Sequence, residues 1–131
     1  MPSTVQQRFQ PQQMVILAHA GYQLYSEVVQ TVPSRPLCWV RPMALAVLPA
    51  HDELPPAEVP SAATLYDLRQ TTDLILPATL FRGALDTEVL PLMSRLAALE
   101  SPSPGDGRAR LQLRAFIEQV WRAYRHSFPP A

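Results

Sequence analysis

"PQQMVILAHAGYQLYSEVVQTV", residues 11–32, is the longest apolar-rich run near the start of the chain, and its reading sets the fold class. Met14, Leu17, Gly21, Leu24, Tyr25, Val28 and Val32 recur at steps of three and four, which places them on one face of a helix. Pro11 suits a first helical turn and Pro33 ends the run, so the spacing predicts an amphipathic helix over 11–32. Gly21 then falls in the apolar face, where a missing side chain admits a close neighbour.

The next segment has a different pattern. "LCWVRPMALAVL" (37–48) is short, nearly uniformly apolar and bracketed by prolines, which predicts a largely buried strand. Pro42 cannot donate to a ladder, so it marks an edge position or a bulge. Residues 49–63, with Asp52, Glu53 and Glu58, read as an exposed proline-rich loop. "TLYDLR" (64–69) and "DLILP" (73–77) flank Gln70-Thr71-Thr72 as a short hairpin, though without a turn glycine.

In "LFRGALDTEVLPLMSRL" (80–96) the apolar phase Phe81, Leu85, Val89, Leu92, Leu96 and on to Leu99 runs through Asp86-Thr87-Glu88 unbroken. Asp86 or Thr87 is a natural helix cap and Glu88 suits the positive end of the helix dipole. A polar notch serving a docked partner is the competing reading. Pro91 removes the donor that would reach the Thr87 carbonyl. After a linker at 100–107, residues 108–126 predict a helix with Leu113, Phe116, Ile117, Val120, Trp121 and Tyr124 on one arc and Arg108, Arg114, Arg122 and Arg125, tempered by Glu118, on the other.

These elements give one α+β domain over 11–126, with three or four antiparallel strands and helices packed on one face of the sheet. Residues 1–10 read as a flexible N terminus and 127–131 as a C-terminal tail. Length and composition agree, since 131 residues with 47% apolar and 17% charged side chains make one core and not a disordered chain.

A net charge of zero supplies no global attraction to nucleic acid or to an anionic membrane. All eleven basic residues are arginine, with no lysine and no asparagine in the chain. That bias fits a GC-rich genome, or selection for arginine as a planar interface residue. Cys38 is the only cysteine, so an internal disulfide and a thiolate metal cage are both impossible. No signal pattern and no membrane-length apolar run is present, which predicts a soluble cytoplasmic protein with no membrane partner.

Chemistry is sparse. Asp86 and Glu88 lie about 200° apart around a helix and cannot converge as an acid–base pair. His19, His51 and His126 have no metal-ligand spacing, no phosphate loop or nucleophile elbow occurs, and neither a cofactor nor a metal is expected. Recognition is better served. Trp39 and Arg41 on a strand broken by Pro42, with Tyr66 and Arg69 on a neighbouring strand and Arg122 on the last helix, are residue types that dominate binding hot spots. The expectation is a non-enzymatic assembly or adaptor module that binds a peptide segment, with a weakly held homodimer. The alternative is a small-molecule or hydrolytic domain with its site near His51, Asp52 and Asp86.

The block "DLILPATLFRGALDTEVLPLMSRL" (73–96) resembles a segment of small cyanobacterial proteins of unassigned function. The resemblance covers that block alone and carries no catalytic motif. It implies an accessory or assembly role in photosynthesis or carbon fixation, such as carboxysome assembly.

Overall fold

Leu17 faces Leu24, Ala18 faces Gln23 and His19 faces Tyr22, so residues 11–32 form a tight antiparallel hairpin and not the expected helix. Its strands are β1 (Met14–His19) and β2 (Tyr22–Val32), joined by the two-residue turn Ala20-Gly21. Both turn residues have positive φ, +51° and +82°, the conformation that two-residue hairpins demand. The structure, a computed structural model, describes residues 9–32, 34–48, 64–99 and 107–128, so the expected proline-rich loop over 49–63 lies outside the described residues.

β3 (Leu37–Val47) runs antiparallel to β2 along its length. Its other edge is occupied twice: β4 (Thr64–Asp67) pairs with Ala44–Val47, and β5 (Leu74–Pro77) pairs with Leu37–Val40. The expected 64–77 hairpin therefore does not form. The two strands run in the same direction as one interrupted strand, and residues 68–73 leave the ladder opposite Arg41 and Pro42. Pro42 explains the interruption, because it offers no backbone donor to a neighbour there. The predicted irregularity is real: β2 and β3 slip register between Tyr25 and Ser26, opposite Met43. β3 is nevertheless an interior strand and not an edge.

On the far side β6 (Arg82–Gly83) pairs with Val15 and Ile16, completing a six-stranded sheet ordered β4-β3-β2-β1-β6 with β5 beside β3. This is larger than the three or four strands expected. Two helices follow, α1 (Asp86–Ala98) and α2 (Gly107–Ala123).

The helices cover opposite faces of the sheet, not one. Val15, Leu17, Leu24, Val40 and Leu45 pack with Leu113, Phe116 and Val120 of α2. Their neighbours in sequence, Ile16, Tyr25, Ala44 and Ala46, pack with Leu92 and Leu96 of α1. Alternation along each strand sends adjacent side chains to opposite faces, so β1–β3 supply both cores. Phe9, in the segment expected to be flexible, is buried in the α2-side core. Phe128 meets Trp121 edge-on with ring centroids 4.8 Å apart.

Candidate functional site

Strand alternation decides which side chains reach the surface. Cys38 and Val40 belong to the α2-side core, so Trp39 between them points to the α1 side, and Arg41 follows it. Leu74 and Leu76 likewise face α2, which turns Ile75 to the α1 side directly opposite Trp39. The α1-side core engages only Ile16, Tyr25, Ala44 and Ala46 among the buried sheet residues, so among the described residues no core cluster covers this end of the face. Trp39 is 38% exposed and Ile75 60%.

One carboxylate organises the pair. Trp39 Nε1 donates to Asp73 Oδ2 at 3.0 Å, and Arg41 Nε donates to Asp73 Oδ1 at 3.2 Å. Asp73 is the last residue of the excursion that Pro42 forces, so the break in the ladder delivers the clamp. The indole has its one polar atom satisfied and its ring held, and among the described residues Arg41 is engaged through Nε alone. Glu27 faces Arg41 across the strands. The result is a fixed aromatic–aliphatic platform with a guanidinium at its rim.

The other residues singled out from the sequence do not join this platform. Tyr66 packs against the α2-side core, on the opposite face. Arg69 grips Asp67 through Nε and Nη2, at 2.7 Å for the latter, and donates to the Leu96 carbonyl at 3.2 Å near the end of α1. Burial raises the Asp67 carboxyl, but the Arg69 hydrogen bonds outweigh it and the net shift is downward. Arg122 lies on the exposed side of α2. Trp39 and Arg41 come together; Tyr66, Arg69 and Arg122 serve elsewhere.

Within the acidic triplet, Glu88 has a structural role, with different atoms than expected. The cap residue of α1 is Leu85, and neither Asp86 nor Thr87 caps it. Glu88 instead turns inward, accepts the Leu85 amide at 3.1 Å and takes both Nη groups of Arg82 at 2.8 and 2.7 Å. It is fully buried. The Arg82 hydrogen bonds hold its carboxyl below the usual range against the opposing effect of burial. Burial, then the charge of Glu88, pushes the phenol of Tyr25 well up. The pair anchors the start of α1 to β6.

His51 and Asp52 of the alternative site lie outside the described residues, and Asp86 is exposed on the first turn of α1. Among the described residues no three His, Cys, Asp or Glu side chains gather where a metal could be held. An open cleft of about 280 Å³ lies at the β1–β2 turn, where His19 Nδ1 and Tyr124 Oη are 3.2 Å apart. It falls just below the size range of small-molecule sites, which starts at about 300 Å³. None of the described helices is long and apolar enough to cross a membrane. No family model, no curated protein and no solved structure matches the chain.

Proposed function

We propose that this protein is a non-enzymatic interaction module, an assembly or adaptor factor that binds a peptide segment of a partner protein on the open sheet face around Trp39. The observation that carries the reading is the clamp on Trp39: a large aromatic left exposed, yet held in place by Asp73 beside the half-exposed guanidinium of Arg41. An immobilised exposed aromatic has already lost the side-chain entropy that binding would otherwise cost. The occupant suited to it sets an apolar side chain against Trp39 and Ile75 and a carboxylate or backbone carbonyl against Arg41. The resemblance of residues 73–96 to small cyanobacterial proteins supplies the setting we propose, assembly in photosynthesis or carbon fixation.

The test is capture of the partner from the native organism by wild-type protein and by Arg41→Glu. Arg41 is half exposed and makes one ion pair at the surface, worth no more than about 1 kcal/mol, so the variant should fold with an unchanged circular dichroism spectrum. It should lose the partner. Normal capture by the folded variant would remove the Trp39 platform as the site.

A further inference from the structure

Some of the arginines are held by carboxylates and others are not, Arg35 of the β2–β3 connection belonging to the latter among the described residues. On the sheet and its connections Arg41, Arg69 and Arg82 are each clamped by a carboxylate, Asp73, Asp67 and Glu88 respectively. On α2 and the turn after it, Arg110, Arg114, Arg122 and Arg125 are exposed, and among the described residues no ion pair or side-chain hydrogen bond holds any of them. The charge is segregated accordingly. Residues 107–128 contain five arginines against one glutamate, a net charge of +4, whereas the other described residues hold five arginines and five carboxylates.

The basic face is also apolar. Leu113, Phe116 and Val120 point α2 into the core, and at 100° per residue Arg110, Trp121, Arg114, Glu118, Leu111 and Arg122 occupy an outer arc of about 120°, three arginines against one carboxylate. Leu111 is 64% exposed and Trp121 45%. Trp121, expected on the core arc, stands among the arginines instead, braced edge-on by Phe128. The two large apolar side chains lie ten positions apart in the sequence, about 15 Å along the helix axis.

We propose that the outer face of α2 is a second docking surface, for an acidic, amphipathic segment of a protein partner. Carboxylates of that segment meet Arg110, Arg114 and Arg122 bidentately, and its apolar side chains cover Leu111 and Trp121. The charge complementarity selects an acidic occupant. Leu111 and Trp121 select a polypeptide over a phosphate backbone, because only a polypeptide offers apolar side chains to an isolated leucine. This surface lies across the sheet from the Trp39 platform and does not depend on it. With both occupied, the protein bridges two chains, which is what an adaptor requires.

The probe is a synthetic peptide of Glu, Leu and Ala, roughly 20 residues long so that as a helix it spans about 30 Å. The protein carries Trp39→Phe, which leaves Trp121 as the only tryptophan. Titration should shift the Trp121 emission to shorter wavelength. The affinity should fall at least tenfold in Arg114→Glu/Arg122→Glu and in the uncharged control Arg114→Gln/Arg122→Gln, with unchanged circular dichroism. It should also fall as salt rises from about 0.05 to about 0.5 M. Silent Trp121 emission, or equal affinity in the charge variants, overturns the proposal. So does tighter binding of a single-stranded oligonucleotide or of phosphatidylglycerol vesicles than of the peptide, since either result assigns the face to another class of partner. Because the Trp39 platform is altered in every sample, failure here leaves the reading of that platform standing.

Discussion

Glu88 is completely buried while its partner Arg82 keeps 41% of its side chain in water, so the two members of this pair are unequal. Removing Arg82 strands a carboxylate in the core; removing Glu88 returns a guanidinium to solvent. Arg82→Ala should therefore cost about 3 kcal/mol in urea unfolding, and Glu88→Gln, which keeps shape and an acceptor, about 1–2 kcal/mol. The pH dependence has a definite sign. The folded carboxyl lies below its ordinary value of 4.5, so its contribution is complete above that value and disappears as pH falls through the folded one. Wild-type stability should drop more steeply than that of Glu88→Gln between about pH 5 and about pH 3. Equal slopes would show that the pair adds nothing in the charged form. The sequence displayed Glu88 as a dipole-compensating residue; its pairing with Arg82 six positions earlier depended on β6 docking beside β1, which no local pattern signals.

At the scale of the element, the apolar steps over 11–32 matched a helix because both faces of β1 and β2 are buried. When α1 and α2 cover the two sides, consecutive residues such as Val15, Ile16 and Leu17 are all apolar, and the period of two that marks a half-exposed strand is erased. Gly21 was the signal that could have found the turn. Its φ of +82° is one that side chains rarely adopt, so Gly21→Ala should cost about 1 kcal/mol although nothing lies within 4 Å of the added methyl. Ala20→Asn, at φ +51°, should raise thermal stability, since asparagine tolerates that region better. The helix over 86–98 and the strand over 37–47 were legible, one from its phase and one from its uniform apolarity between prolines. The position of the cap was not. With Leu85 as cap and Glu88 reaching back, Asp86→Ala/Thr87→Ala should cost under about 1 kcal/mol, mostly lost interaction with the helix dipole. A loss near 2 kcal/mol in thermal or urea melts, the upper end for a lost cap, would restore them in that role.

For the whole molecule, the sequence conveyed the α+β class and picked out Trp39 and Arg41 for their residue types. Their setting was hidden. The clamp exists because Pro42 interrupts the ladder and the excursion 68–73 brings Asp73 back 32 residues after Arg41, a long-range consequence that emerges only once β3 has two partners on one edge. Tyr66 and Arg122 went to the other face because alternation and helix placement, invisible in composition, decide sides. The central claim is that a partner peptide covers the clamped indole. Two indole N–H resonances exist in the chain, from Trp39 and Trp121, and Trp39→Phe identifies which is which. Adding the partner captured by wild-type protein to the isotope-labelled chain should shift or broaden the Trp39 indole N–H resonance. A Trp39 resonance that stays unmoved at saturating partner would contradict the account.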